Sequence, residues 1–586
     1  MAKNNKSKGT KGKSRVTPTA AAGGPNAGPG VVPTILLSVI SAVLMALAFH
    51  PADIPAPAWI GMAPLLIVIA RKRPLAAALW SMLAGYVFFF IGVNWISTVS
   101  MIGLLAICIP LAAYFGIFGF VTSLSVRRLG VPLMLAAPVV WVACEYLRGF
   151  ALTGFPWLFL AHSQYALLPL IQVSDITGAY GISFLIVLVN AFAAELAMRL
   201  FAKQRFRKFD ASGLMPRAAC VVAALAVVLG YGFWRLNDVR GGMSEGPRLL
   251  IVQPNIEQIL KERRSTAQTI SGDIEDQTRG AMSAYKLKGD RPDMIVWPET
   301  MIQPGPESRF AGEKTRRLPE LVALYNVYLC AGGTHVKDAP NVYEYWDPDA
   351  EKFVKETGDF TDLHNSAYVY SPAGEMMGRY DKIHLVPFGE FVPMKNILPF
   401  MSDIILKSAG FVRDIEAGDK VVFFEMRDAK GKAYTFSTPI CYEVGFPDLF
   451  TSFVEQGGGK KADFVVNISN DGWFQTSAEL EQTTAIAAFR AVENRVGVVR
   501  STNTGISAVI RPDGYFSWRD DVLHNSSGGM KAVQGELMRN VWVSDKSSIY
   551  SRVKDVFAIL MVVLSALGLA GSIVIPLFRK PAEAAR

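Results

Sequence analysis

Apolar positions gather into long blocks over the first 240 residues and again near the C-terminus, while between them they break into short runs. A hydrocarbon core about 30 Å thick takes roughly 20 apolar residues of helix. That length predicts eight spans, at 31–50, 54–70, 74–96, 101–126, 131–147, 178–198, 217–236 and 555–578. In the polar stretch between the seventh and eighth, the runs RLLIVQPN, MIVWPE, VYLCAGG, NSAYVYS, FSTPICYE, DFVVNISN, VGVVRSTN and ISAVIRP read as strands, and a charged helix falls near 308–326. Several runs are continuously apolar, as strands are when helices cover the sheet. Pro372-Ala373-Gly374 and Pro512-Asp513-Gly514 predict tight reversals. The pattern predicts a membrane α-helical bundle of about eight transmembrane helices joined to an α/β sandwich.

Composition agrees with this, at 51% hydrophobic against 19% charged residues. Charge sets the orientation, because Lys and Arg in short connections resist translocation. Basic clusters stand in the N-terminal tail, at Arg71 to Arg73, at Arg127 and Arg128, from Arg199 to Arg217 and after Arg579, which is every second connection. The expected organisation is therefore a disordered basic cytoplasmic tail at 1–30, a seven-helix transmembrane region at 31–236, an extracytoplasmic domain at 237–553, a C-terminal transmembrane helix at 554–579 and a cytoplasmic tail at 580–586. Segment 31–50 is followed by His50-Pro51-Ala52-Asp53, with no small-residue cleavage site, and reads as an uncleaved first span. The net charge of +9 belongs to this topology, and nucleic acid is not an expected partner.

Candidate chemistry lies where polar islands interrupt the apolar strands. Trp297-Pro298-Glu299 puts a carboxylate past a strand, 380–390 (YDKIHLVPFGE) puts Lys382 and Glu390 in an apolar loop, and 439–443 (PICYE) puts a lone thiol at a strand end. Singly these are a cap, a solvated lysine and a core cysteine. Together they supply a nucleophile, a base and a cation. The five cysteines, at 108, 144, 220, 330 and 441, have no spacing suited to disulfides or zinc, which frees Cys441 to act as a thiol. A Lys382 ammonium would favour the thiolate, Glu299 would accept the proton, and Lys382 with the Tyr442 backbone N–H would stabilise an oxyanion. Glu390 would orient Lys382, and Glu443 would shape the pocket or form an ion pair. Within the spans, Glu145 and Arg148 are placed to pair, Asp175 and Glu195 to lie at an interface or face the bundle, and Trp141, Trp157 and Tyr165 to form an aromatic belt.

These residues resemble the nitrilase, or carbon–nitrogen hydrolase, superfamily, whose Glu-Lys-Cys triad matches Glu299, Lys382 and Cys441. The strings YDKIHLVPFGEFVP, TPICYE, NISNDGWF and STNTGISA, with GFPW at 154–157 and GAYG at 178–181, are similar to its membrane-bound branch, the apolipoprotein N-acyltransferase family. The resemblance covers 31–579. It implies a nitrilase-like αββα sandwich and ping-pong transfer of a fatty acyl chain from a phospholipid to the α-amino group of a diacylglyceryl apolipoprotein, through a Cys441 thioester. It also implies Glu390, Tyr442, Glu443 and Trp473 as supporting or substrate-binding residues, no cofactor or metal, a monomer, and a place in the bacterial inner membrane with the catalytic domain on the periplasmic side. A histidine is expected near Gln482, where this chain has Thr483. The apolar stretch Phe391–Leu406 would serve as a lid at the membrane surface. The alternatives are a membrane-tethered amidase or nitrilase with the same triad, and a transporter or scaffold whose domain only binds ligands.

Overall fold

The computed structural model describes residues 30–203, 213–262, 267–309, 311–337, 341–347, 352–358, 361–393 and 415–578. Among these, six helices are long and apolar enough to cross a membrane: Pro74–Gly92, Met101–Leu129, Leu133–Phe150, Tyr180–Leu200, Met215–Gly241 and Val556–Val574. The other two expected spans are shorter, Val31–Ala46 and Ala58–Arg71. Prolines 51, 55 and 57 stop the chain from continuing the first helix into the second. The second is broken at Met62, and a neighbouring helix satisfies the break: Asn190 Oδ1 accepts from the N–H groups of Met62 and Ala63 (2.8 and 3.1 Å), and its Nδ2 donates to the Ala58 carbonyl (2.8 Å). Irregular backbone at membrane depth persists only where protein supplies such partners.

Two mixed sheets form the polar domain. Eleven strands build them: β1 Met243–Gln253, β2 Met294–Ile302, β3 Tyr328–Lys337, β4 Thr361–Tyr370, β5 Met376–Asp381, β6 Phe423–Arg427, β7 Ala433–Ser437, β8 Phe464–Ser469, β9 Gly497–Thr502, β10 Ala508–Ile510 and β11 Gly535–Ser544. The first sheet runs β11-β1-β2-β3-β4-β5 and the second β10-β9-β8-β7-β6. Each has parallel strands at its centre, β1-β2-β3 and β7-β8-β9, and antiparallel edges. Strand alternation divides the cores. Leu249, Ile251 and Val296 face Phe436, Phe464 and Val466 between the sheets, whereas Leu250, Val252 and Ile295 pack outward on Ile270, Ile274 and Leu321 of helices Ala267–Leu287 and Leu318–Tyr325. Both expected reversals form, with Gly374 and Gly514 at φ of +85° and +81°.

The outer face of the second sheet carries helix Glu479–Asn494, and its cover does not end there. Val465, Val498, Leu480, Ile486 and Val492 belong to one apolar cluster with Leu66, Phe89, Trp141 and Ile186 of the bundle. A buried ion pair and a buried hydrogen bond cross the same boundary. Asp175 meets Arg235 (2.6 Å) and Arg495 (2.8 Å) and accepts from the Tyr231 hydroxyl (2.6 Å). Glu493 pairs with Arg490 (3.1 Å) and accepts from the Ala179 N–H (2.9 Å), inside the GAYG segment. Asp175 is thus bundle-facing, and Glu195 pairs with Arg217 (3.0 Å).

Two expectations for the spans are corrected. Trp141, Trp157 and Tyr165 form no belt, since all are buried in the protein: Trp141 donates to Glu145 (2.9 Å), Tyr165 to Asp53 (3.0 Å), and Trp157 stacks on Tyr442. Glu145 and Arg148 do not pair directly. Each finds closer partners in the backbone of 155–160. The expected lid lies outside the described residues beyond Pro393.

Candidate active site

Each candidate residue sits where regular pairing fails. Between β2 and β3 the register shifts after Trp297 and resumes at Ile302, and Thr300 adopts φ +57°. Glu299 stands in that bulge instead of past the strand's end. Gly332 permits it, because a Cβ there would lie 2.4 Å from the Pro298 carbonyl oxygen and 2.5 Å from the Glu299 Cα. Lys382 follows β5, its N–H donating to the Asn365 carbonyl (2.8 Å). Cys441 follows a single bridge between Ile440 and Ile468 and opens a short 3-10 turn, Cys441–Gly445, at φ +51°. A non-glycine residue in that region is strained, and such strain gathers at functional sites.

The structure brings Glu299, Lys382 and Glu390 together in one largely buried cluster. Lys382 Nζ is fully buried, 2.9 Å from Glu390 Oε1 and 3.6 Å from Glu299 Oε1. Burial alone would lower the ammonium, but Glu390 and then Glu299 outweigh it and hold Lys382 well above its ordinary range, so it stays charged. Glu390 also caps its own loop, accepting from the Val386 N–H (2.8 Å).

Asn365, on β4, was not picked out in the sequence. Its Nδ2 donates to Glu299 Oε1 (2.5 Å) and Glu390 Oε1 (2.9 Å), fixing the spacing of the two carboxylates around the lysine. Its strand, TDLHNSAYVY, already carries Thr361, Asp362, His364 and Ser366, so one more polar residue there does not stand out.

Cys441 feels both charges, and Lys382 favours its thiolate as expected. Enclosure pushes its thiol up, Glu299 pushes it further, and Lys382 opposes them without prevailing. The balance of these causes favours the neutral thiol over the thiolate. Behind it, Ser469 hydrogen-bonds the sulfur and donates to Asp471 (2.5 Å), which pairs with Arg500 (3.1 Å).

Glu443 works as a tie between loops and, among the described residues, has no ion-pair partner. Its Oε2 accepts from the Ile440 N–H (2.7 Å); its Oε1 accepts from the Tyr380 hydroxyl (2.6 Å) and the N–H groups of Ile383 (2.8 Å) and His384 (3.0 Å). The cysteine turn is thereby bolted to the lysine loop. Burial raises the Glu443 carboxyl against those hydrogen bonds. Tyr442 stacks on Trp157 with ring centres 5.3 Å apart. Trp473 lies on the turn Asp471–Phe474, its carbonyl accepting from Thr98 (3.2 Å). Thr483, in place of a histidine, donates to Glu479 (2.5 Å).

Fold and site define a membrane-embedded enzyme of the carbon–nitrogen hydrolase class, and residues 251–519 match that family, Carbon-nitrogen hydrolase. Residues 41–192 match the Apolipoprotein N-acyltransferase N-terminal domain. The chain is 33% identical over 538 residues to the apolipoprotein N-acyltransferase of Geobacter metallireducens, covering 89% of this chain and 92% of the relative. It is 28% identical to that of Pasteurella multocida, over 82% and 86% of the two chains. It belongs to the apolipoprotein N-acyltransferase family. Among solved structures, an amidase of the nitrilase superfamily from Nesterenkonia AN1 is 15% identical, covering 54% of this chain and 96% of the amidase at a TM-score of 0.32.

Proposed function

We propose that this enzyme transfers a fatty acyl chain from a phospholipid to the N-terminal α-amino group of the diacylglyceryl-cysteine of apolipoproteins, through a thioester on Cys441. The observation that carries the reading is the buried ammonium of Lys382 held between Glu299 and Glu390, beside a thiol on a strained turn. Glu299 takes the Cys441 proton as the sulfur attacks the ester carbonyl. Lys382 and the Tyr442 N–H hold the oxyanion, a contribution commonly of about 3 kcal/mol per donor. Glu299 then protonates the departing lysophospholipid alkoxide, and the same residues reverse their roles when the lipoprotein amine attacks the thioester. Glu390 and Asn365 keep the lysine in place, Glu443 keeps the two loops in register, and Trp473 contributes to the substrate-binding surface.

The same reading puts the catalytic domain, 237–553, on the periplasmic side of the bacterial inner membrane, with 31–236 and 554–579 spanning it and the tails inside. The N-terminal family match and the shared apolar core with the bundle support a lipid substrate over a soluble amide. The test uses full-length enzyme in phospholipid vesicles with a synthetic diacylglyceryl lipopeptide. One fatty acyl mass is expected on the lipopeptide amine, and none with Cys441→Ala; transfer by that variant would overturn the assignment.

A further inference from the structure

One short segment of the bundle region meets both the lysine loop and the cysteine turn. The Thr153 carbonyl accepts from His384 Nε2 (3.1 Å), and the Gly154 carbonyl accepts from the Tyr442 hydroxyl (2.9 Å). Trp157 stacks on Tyr442 and covers Gly445, where a Cβ would come within 2.8 Å of the indole edge. His384 stands two residues after Lys382, and Tyr442 directly follows Cys441. Both catalytic loops therefore rest on 153–157. Gly154 lies at φ +76°, and a side chain there would meet the Gly149 carbonyl oxygen at 2.5 Å and the Phe446 ring at 2.6 Å.

Two buried charges hold that segment from beneath. Arg148, in the last turn of Leu133–Phe150, donates from Nη1 to the carbonyls of Phe155 (3.0 Å) and Trp157, and its guanidinium lies 5.1 Å from the ring centres of both Phe89 and Phe159. Glu145, one turn earlier, accepts from the Leu160 N–H (2.8 Å) and from Trp141 Nε1 (2.9 Å). A cation and an anion three residues apart would ordinarily neutralise each other. Here they grip the two ends of 155–160 instead. Ionised groups inside a membrane region are costly and are kept where they have work to do.

We infer that Arg148 and Glu145 are positioning residues for acyl transfer: by fixing the 153–157 segment they set the cysteine turn, and hence the directions of the Cys441 sulfur and the Tyr442 N–H relative to Lys382. This rests on the reading of Cys441 as nucleophile. The catalytic site is accordingly assembled on the bundle, and its geometry is governed by two residues that touch no substrate.

The test is a double-mutant cycle on single-turnover acylation of full-length enzyme in phospholipid vesicles, with Arg148→Gln, Tyr442→Phe and the double variant. Each single change is expected to slow acylation about 10- to 100-fold, the loss a small misplacement of reacting groups produces, with KM for phospholipid within about twofold. The double variant is expected to be no slower than the slower single one, because both cut the same link. Arg148→Lys, which keeps a cationic donor, should recover part of the rate, and it replaces Arg148→Gln in the cycle if that variant does not fold. Losses that multiply in the double variant, or a loss confined to KM, would overturn the inference. Acyl transfer surviving in Cys441→Ala would instead overturn the nucleophile and leave the cycle's outcome to be read separately.

Discussion

The two outer faces of the sandwich meet the same demand in different ways. On the first sheet, Leu250, Val252 and Ile295 are covered by two helices of the domain itself, and beyond those helices come exposed charges such as Arg317 and Glu313. On the second sheet, the cover is helix Glu479–Asn494, whose far side is absorbed into the bundle core. The helix and its C-terminal cap carry charges that solvent never reaches, including Arg490, Glu493 and Arg495. A tethered module would have two faces of the first kind. The difference shows that the bundle is part of the catalytic fold as well as its anchor.

The largest effect is expected at the site this asymmetry creates. Glu299→Gln should slow acyl transfer by about 10³-fold, the usual loss of a general base. Because the Glu299 charge holds the thiol up, the same change should quicken alkylation of Cys441 by iodoacetamide at fixed pH, whereas Lys382→Met should slow it. Alkylation moving with activity in both variants would refute the neutral-thiol account. Next comes the buried boundary. Arg495→Met leaves Asp175 short of a partner in a dry setting and should cost about 3–5 kcal/mol, read as a fall in the melting midpoint of the full-length protein.

On the solvent-covered face, Ile274→Ala should cost about 2–4 kcal/mol by cavity formation, without altering the membrane side. A smaller, pH-dependent effect is expected at Glu479, where burial, then Asp471, raises the carboxyl to about 8. The fold favours its neutral form, so its stabilising effect is full below the unfolded value of about 4.3 and is lost as pH rises through about 8. Glu479→Gln should match the parent near pH 4.5 and melt higher near pH 9. Smallest of all, Arg317→Ala, which cuts an exposed pair, should change stability by no more than about 0.5 kcal/mol.

How legible each part was follows from the same contrast. Strands β1, β2, β3, β8 and β9 announced themselves as apolar runs because both their faces are covered. β6, with its exposed alternate residues, and β11, with a half-covered pattern, gave weaker signals. Glu299, Lys382 and Cys441 stood out as polar interruptions of such runs. Asn365 passed unnoticed because its work is to hold two carboxylates drawn from distant segments, and no local pattern marks that. Glu145 and Arg148 were visible as charges in a span, yet helical spacing suggested that they satisfy each other. Only the path of 153–160 past them reveals other partners. The aromatic belt failed for a related reason: Trp157 is amphipathic enough for an interface, but its ring is taken up by Tyr442 of the cysteine turn.

The most direct test is intact-mass analysis of the full-length enzyme after incubation with phospholipid alone, with tandem mass spectrometry to locate any adduct. One fatty acyl group on Cys441, discharged when a diacylglyceryl lipopeptide amine is added, is the predicted result. An unmodified thiol under conditions that support transfer, or an acyl group on another residue, would contradict it.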